Sequence, residues 1–181
     1  PTGWLANRYG GRVLMWVALA GWSLFTILTP IAAGISLSAL IVTRILMGAG
    51  EAASFPAVYN LLARWFPKAE RSRAAAMNLT GIPLGTIFAL STSGWLVTHY
   101  GWPAVFYAFG AIGLVFCLIW FWLVRARPSA HPHISDRELS LLAPLEDDIG
   151  TTPAPVPWKT LFSHSAVWAL VFNHFCANWT L

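Results

Sequence analysis

Apolar residues fill four stretches of the chain, each long enough to cross a lipid bilayer as a helix. These stretches are residues 13–33, 37–63, 74–97 and 102–124, and a fifth apolar run begins near Ala166. A helix of about 20 apolar residues crosses the hydrocarbon core. The pattern therefore predicts an all-α, polytopic membrane protein. Because the chain begins at Pro1 and ends inside an apolar run, we expect it to be a piece of a longer protein.

Basic residues are confined to alternate connections between these stretches. Apart from Arg44, every Lys and Arg lies in residues 8–12, 64–73 or 125–165, and the connections 34–38 and 98–101 contain none. Successive connections of a helical array lie on opposite faces of the membrane, and the cytoplasmic ones are enriched in Lys and Arg. We therefore predict that the basic connections are cytoplasmic. This topology explains the net charge of +4, so we expect no nucleic-acid partner.

A polar segment divides the chain into three parts. Residues 1–124 are predicted to form an incomplete N-terminal transmembrane bundle, and residues 166–181 the truncated start of a C-terminal bundle. Residues 125–165 then form a cytoplasmic interdomain loop rich in Pro and His. Within this loop, Ser135 and Glu138 precede several leucines and match a capping box that opens a short amphipathic helix.

One short pattern occurs twice in the chain. Residues 3–10, GWLANRYG, recur as residues 94–101, GWLVTHYG. Each copy ends one apolar stretch, and the predicted topology places the two copies on opposite faces of the membrane. Such an arrangement is typical of the inverted repeats of secondary transporters.

Composition narrows the functional class. The chain is 57% hydrophobic and 10% charged, whereas soluble domains are about 25% charged. It contains no HExxH, G-x-S-x-G or phosphate-loop motif, and no paired carboxylates in a polar setting. We therefore expect no enzyme activity, no catalytic residue, no metal site and no cofactor. We also expect a monomer surrounded by the lipid bilayer.

Two charged residues lie inside an apolar stretch. Arg44 and Glu51 are seven residues apart, so on a helix they share one face, roughly 10 Å apart. Charged side chains at bilayer depth are costly and usually face a bundle interior or a water-filled cavity. Arg44 would attract an anionic substrate, and Glu51 would bind the coupling proton. The structural alternatives are an ion pair between Arg44 and a helix that is missing from this chain, and a neutral or hydrogen-bonded packing role for Glu51.

Prolines interrupt two of the apolar stretches. Pro56 removes the hydrogen bond to the carbonyl group of Ala52 and should kink its helix just beyond Glu51. Pro83 should interrupt the next helix in the same way, close to the weaker cavity candidates Asn78 and Thr80. A packing kink between helices is an equally good interpretation of Pro83.

The last apolar run carries three further polar candidates. Asn173, His174 and Asn178 follow helical spacing and are candidate cavity residues. His174 can take up a proton or hydrogen-bond across helices. A histidine that is satisfied by a neighbouring helix is the commoner outcome, so these residues are weaker candidates than Arg44 and Glu51.

Residues 3–12, GWLANRYGGR, resemble the loop signature G-x-L-A-D-R-x-G-x-R of the major facilitator superfamily, which joins the second and third helices. Further segments resemble the anion:cation symporter family, which includes hexonate permeases, plant anion transporters, sialin and vesicular glutamate transporters. These segments are RILMGAGE at 44–51, FP at 55–56, RWFP at 64–67, ERSR at 70–73, GWP at 101–103, PW at 157–158 and HFCANW at 174–179.

The resemblance implies a twelve-helix fold, of which this chain forms a partial N-terminal helix bundle from the end of helix 2 to the start of helix 7. It places Arg44 and Glu51 at family positions tied to anion recognition and proton coupling. Asn7 replaces the usual Asp of the loop signature, so we expect gating through this loop to be weakened or differently arranged. The loop residues concerned are Gly3, Asn7, Arg8, Gly10 and Arg12.

These features together predict a secondary active transporter. We expect it to move a small organic anion together with protons by alternating access. A sodium- or potential-driven carrier of phosphate or another anion is one alternative, with Na⁺ as the coupling ion. A membrane sensor that has kept the fold without transport is another. We expect a multi-pass protein of the plasma or inner membrane, or of an organelle membrane if the source is a eukaryote.

Overall fold

Every regular element is helical in the computed structural model, which describes residues 2–149 and 157–179. Side chains are described for residues 2–143 and 157–177. A short 3-10 helix, Pro128–Ala130, lies between the sixth and seventh α-helices. The α-helices are α1 (Thr2–Tyr9), α2 (Gly11–Ile35), α3 (Leu37–Glu51), α4 (Ser54–Trp65), α5 (Arg71–Tyr100), α6 (Pro103–Leu123), α7 (Asp136–Ile149), α8 (Trp158–Ser163) and α9 (Ser165–Trp179).

The described residues contain four helical segments that are long and apolar enough to cross a membrane. The fifth apolar run forms α9, whose apolar part, Ser165–Ala177, is shorter. The predicted all-α, multi-span architecture is therefore confirmed for the part of the chain that the structure describes. The four segments are Gly11–Ile35, Leu37–Trp65, Arg71–Tyr100 and Pro103–Leu123.

The chain divides into two units, Pro1–Thr151 and Thr152–Leu181. The first unit contains α1 to α7. The second contains α8 and α9, which pack against each other. The indole nitrogen of Trp168 donates a hydrogen bond of 2.8 Å to the carbonyl group of Phe162, and their rings lie 6.0 Å apart.

Helix α2 is the centre of the first unit, where it packs against α3, α4 and α6. In a membrane, lipid tails are as apolar as leucine, so helices associate through close packing of small residues rather than through the hydrophobic effect. The buried residues of α2 fit this requirement, because most of them are small. They are Gly11, Ala18, Leu19, Ser23, Thr29, Pro30 and Ala32.

Glycines of α6 bring it into direct contact with α2. A Cβ atom on Gly110 would lie 2.9 Å from the carbonyl oxygen of Ser23 and would also overlap the side chain of Ile27. A Cβ atom on Gly113 would overlap the hydroxyl group of Ser23. Only glycine therefore allows the two helix backbones to approach this closely.

The two copies of the repeated pattern adopt the same local structure. The first copy ends α1 at Tyr9 and the second ends α5 at Tyr100. The glycine that follows has a positive φ in each copy, 83° at Gly10 and 80° at Gly101. Only glycine adopts this conformation without strain, which explains why both copies end in this residue.

One of the two predicted helix interruptions is found and the other is wrong. The helix breaks between Glu51 and Ser54, just before Pro56, whereas α5 continues through Pro83. A proline removes one backbone hydrogen bond, and a helix in lipid tolerates this loss when the flanking bonds persist. Asn78 and Thr80 lie on this continuous helix, and their place in a cavity stays a prediction.

The amphipathic helix of the polar segment is present as α7. The hydroxyl oxygen of Ser135 accepts a hydrogen bond of 3.3 Å from the backbone N–H of Glu138, as the capping box predicts. Helix α7 packs against α4, and Leu142 is buried whereas Leu141 is exposed. The position of α7 relative to the membrane stays a prediction.

The close approach of α2 and α6 yields a stability prediction. Gly110→Ala should lower the free energy of unfolding by about 1–3 kcal/mol, because its methyl group meets Ser23 and Ile27. The matched control is Gly21→Ala on α2, where no atom lies within 4 Å and alanine favours the helix. Thermal unfolding in detergent, followed by tryptophan fluorescence, measures both. Equal midpoints for the two variants would contradict the packing argument.

Candidate functional site

Arg44 and Glu51 both lie on α3, and Glu51 is its last residue. The seven-residue spacing corresponds to two turns, so the two side chains emerge from the same side of the helix. Both side chains are exposed in the described structure. Exposed here means not covered by other residues of this chain, and α3 as a whole buries no residue.

The guanidinium group of Arg44 contacts aromatic and sulfur groups but no acid. Its central carbon lies 5.2 Å from the ring centre of Phe106 on α6, and Nη1 lies 3.7 Å from the sulfur of Met47. A thioether is a weak acceptor, and an aromatic face attracts a cation without neutralising it. Within the described side chains, Arg44 forms no ion pair, so its charge is uncompensated. The alternative, an ion pair with a helix that is missing from this chain, is not tested by these residues.

The carboxylate of Glu51 has no hydrogen-bond or ion-pair partner among the described side chains. Only its backbone carbonyl is engaged, which accepts a hydrogen bond of 2.6 Å from the hydroxyl group of Ser54.

The break after Glu51 is stabilised by local hydrogen bonds. The N–H of Ala53 donates to the carbonyl of Gly50 at 3.2 Å, which tightens the last turn of α3. Pro56 has no N–H to donate to the carbonyl of Ala52. The hydroxyl group of Ser54 replaces one of the lost helix bonds, at Glu51. The helix thus ends directly beyond the residue that carries the carboxylate, and Ala53 and Ser54 supply hydrogen bonds at the break.

The remaining cavity candidates are not brought to this pair by any described contact. Asn78 and Thr80 are exposed on α5, and the Thr80 hydroxyl bonds within its own helix, to the carbonyl of Met77 at 2.6 Å. Asn173 and His174 lie on α9 in the second unit. The side chain of Asn178 lies outside the described residues. All five stay predictions.

The loop signature spans the end of α1 and the start of α2. Arg8 lies over the ring of Trp4, with its guanidinium carbon 5.0 Å from the ring centre. Arg12 donates from Nη2 to the carbonyl of Phe121 at 2.7 Å and lies over its ring at 5.0 Å. The indole of Trp120 donates to the carbonyl of Arg12 at 3.2 Å. Arg12 therefore ties the start of α2 to the end of α6.

Asn60 is a polar residue of this region that sequence reasoning missed. It lies on α4, and its side chain bonds Asn7, Gly11 and Arg64 at 3.1, 3.0 and 3.2 Å, respectively. An asparagine inside an apolar helix, one turn before an arginine, was the available signal. We refer below to the region where α1, α2, α4 and α6 meet through Asn60, Arg12 and Arg64 as the basic end.

A cavity of about 260 Å³ lies at the basic end, between the last turns of α4 and α6. Its walls are mainly apolar side chains, and they include neither Arg44 nor Glu51. Arg125 and His131 also line it, so the cavity is separate from the pair of Arg44 and Glu51. The described residues also contain no cluster of His, Cys, Asp or Glu that could hold a metal ion.

Comparison with known proteins places the chain in one family. The profile of the Major Facilitator Superfamily matches residues 1–181. The chain is 40% identical over 175 residues to the chloroplastic ascorbate transporter of Arabidopsis thaliana, covering 96% of the chain and 32% of that protein. It is 38% identical over 177 residues to the chloroplastic sodium-dependent phosphate transport protein 1 of the same plant, covering 96% and 34%.

Sialin of Homo sapiens is 37% identical to the chain over 181 residues, covering 99% of the chain and 36% of sialin. The chain thus spans about a third of the length of the curated relatives it matches. Sialin and plant anion transporters belong to the group that the sequence resemblance indicated, so that prediction is confirmed.

The helix break can be tested directly. Pro56→Ala restores an N–H that can donate to the carbonyl of Ala52, so α3 and α4 should merge into one helix. We expect amide hydrogen exchange of residues 52–56 in detergent to slow by roughly fivefold or more. Pro83→Ala in the continuous α5 is the control and should leave its exchange pattern nearly unchanged. Unaltered exchange at residues 52–56 would show that Pro56 does not cause the break.

Proposed function

Because the chain belongs to the major facilitator superfamily, whose profile covers all of it, we propose that it carries a small organic anion across a membrane together with protons by alternating access. Members of this family are integral, multi-pass membrane proteins, and the relatives of the chain are named as transporters and not as enzymes. Two of those relatives are named for anions, ascorbate and phosphate. These names support an anionic substrate.

The observation that carries this proposal is that Arg44 has no acidic partner among the described side chains. A guanidinium group presents a planar set of donors that suits carboxylate and phosphate oxygens. Phe106 holds this group against α6 without neutralising it, so its donors remain available. An anion that reaches Arg44 would therefore gain a charge-assisted contact without displacing an internal acid.

Glu51 is proposed to bind the coupling proton. Its carboxylate has no partner among the described side chains, and it lies two turns from Arg44 on the same side of α3. Protonation removes its charge and with it the cost of placing a carboxylate in an apolar environment. Neutral Glu51 then permits the bundle to reorient with the anion bound, whereas the ionised form opposes that movement.

The break after Glu51 gives this step a mechanical basis. Hinges are short segments at the ends of helices that absorb changes in backbone angle. Ala52 and Ala53 separate α3 from α4, so the segment that carries Arg44 and Glu51 can tilt relative to α4 without breaking the hydrogen bonds within either helix.

A sodium-driven carrier is the second candidate, and the name of the sodium-dependent phosphate transport protein favours it. The two candidates differ in the driving ion. We expect uptake into proteoliposomes to follow an imposed proton gradient and to persist when Na⁺ is replaced by choline. Uptake that requires Na⁺ and ignores the proton gradient would establish the second candidate instead. Binding of anions without any flux would indicate a sensor.

Glu51→Gln removes the proposed proton site but keeps the shape of the side chain. We expect concentrative, pH-dependent uptake to be lost, while exchange of internal for external anion continues. Glu70→Gln is the matched control, because it removes an exposed acid from the connection before α5 and should leave uptake unchanged. Surviving proton-driven accumulation in Glu51→Gln would refute the role of Glu51.

Arg44→Gln should weaken anion binding by roughly 10- to 100-fold, because it removes a charge-assisted contact. Arg44→Lys keeps the charge but not the planar set of donors, so it should recover binding only in part. Arg73→Gln, at an exposed position of α5, controls for loss of a positive charge. Counterflow with a panel of organic acids and phosphate measures the affinity. Equal losses of anion affinity in Arg44→Gln and Arg73→Gln would mean that Arg44 acts only through the overall electrostatic field of the protein.

A further inference from the structure

The turn between α1 and α2 lacks the side chain that usually caps a helix. Gly10 precedes α2, has a φ of 83° and makes no side-chain cap. The first N–H groups of a helix have no partner within the helix, and Ser, Thr, Asp or Asn before the helix normally supplies one. Here the oxygen of Asn60 on α4 accepts from the N–H of Gly11 at 3.0 Å. Asn60 thus caps α2 from a different helix.

The same contact holds α2 very close to α4. Gly11 is buried, and a Cβ atom on it would overlap the carbonyl oxygen of Ala57 and touch Leu61. Ala57 has no exposed surface. Asn60 lies one turn beyond Ala57, so its amide closes a tight helix contact that glycine makes possible.

The hydrogen bonds of Asn60 fix the orientation of its amide. Two donors, the N–H of Gly11 and Nε of Arg64, meet its oxygen. Turning the amide over would place its NH₂ group against both donors, so the NH₂ group must face Asn7. Asn7 supplies its own oxygen as the acceptor, at 3.1 Å. Position 7 therefore needs an acceptor, and an amide meets this need without charge.

We propose that Asn60 is the positioning residue of the loop signature, and that its pairing with Asn7 gives the α1–α2 turn a contact that does not titrate. The inference rests on the transport function proposed above, since the signature is the loop that the family uses for gating. The usual Asp of the signature would place a charge at position 7. This chain uses two amides there, so the pH response of transport arises at Glu51 and not at the turn.

Arginines surround the pair of Asn7 and Asn60, and neither the arginines nor the two amides change charge with pH. Arg64 contacts the oxygen of Asn60 directly. Arginine keeps its charge in proteins, so the arginines around the turn do not make it sensitive to pH. The charged or titratable residues on the elements that pack around α4 include Arg8 and Tyr9 on α1, Arg12 on α2, Tyr59 on α4 itself, Arg71, Arg73, His99 and Tyr100 on α5, His131 beside Trp65, and Asp136, Arg137 and Glu138 on α7.

A double-mutant cycle of Asn7→Asp and Asn60→Asp tests the inference. The variants are made in the protein expressed from its complete gene, and melting midpoints are measured in detergent near pH 7.5 and pH 5. Each single change is expected to stay within about 2 °C of the unaltered protein. In Asn7→Asp the carboxylate accepts from Asn60. In Asn60→Asp the carboxylate keeps Gly11 and Arg64, and the amide of Asn7 turns over to donate.

The combined variant behaves differently because two carboxylates then face each other without a donor between them. Near pH 7.5 its melting midpoint should lie roughly 4 °C or more below the value expected from adding the shifts of the two single variants. At acidic pH the two carboxylates share a proton in the folded state, which then binds more protons than the unfolded chain. The stability deficit should therefore shrink as the pH falls. Its uptake should shift toward acidic pH in the same way, while the single variants keep the original pH profile.

Asn7→Asp combined with Ser72→Asp is the matched control. Ser72 is exposed in the first turn of α5, so this pair adds the same charge without a direct contact and should behave additively. Additive midpoints at both pH values for Asn7→Asp with Asn60→Asp would overturn the role of Asn60. If the unaltered protein transports no anion, the proposed function fails, and the stability cycle still decides the role of Asn60. If uptake is normal and the midpoints of the double-mutant cycle are additive, the role of Asn60 is rejected and the proposed function is kept.

Discussion

Backbone groups inside a membrane must find their hydrogen-bond partners within the protein, and two departures from a regular helix among the described residues show how side chains meet that constraint. The hydroxyl group of Ser54 donates a hydrogen bond to the carbonyl of Glu51 at the break, and the amide oxygen of Asn60 accepts one from the N–H of Gly11. Arginines donate hydrogen bonds to carbonyl groups at the ends of α4 and α6. Arg71 donates to the carbonyl groups of Ala63 and Phe66, and Arg125 donates to those of Phe121 and Trp122.

Arg44 and Glu51 differ from these residues because, among the described residues, their charged groups form no hydrogen bond with the backbone and no ion pair. Arg44 rests on Phe106 and Met47, and the carboxylate of Glu51 contacts no described side chain. The other polar side chains named here thus bond the helices, whereas these two have no such partner among the described residues, which supports the roles proposed for them. The central packing of α2 against α3, α4 and α6 holds the segment that carries them.

The limits of sequence reasoning are clearest at the two prolines and at Asn60. Pro56 and Pro83 remove the same backbone bond, but only Pro56 lies at a break, where Ser54 and the turn at Ala53 compensate for the lost bonds. The local sequence contains both prolines and does not show which helix keeps its flanking bonds. Asn60 was missed because its three partners lie on α1, α2 and α4, far apart in the chain except for Arg64.

Hydrophobic length, the distribution of Lys and Arg, and the loop signature determined the spans, the helical class and the family, because each depends on residues that are close in sequence. They also identified Arg44 and Glu51, since a charge within an apolar helix is visible without a structure. The tertiary structure alone decided which polar groups have partners. Packing brings α4 to the start of α2 and Phe106 to Arg44, and only that approach distinguishes an amide that bonds a turn from a guanidinium group with no acidic partner among the described residues.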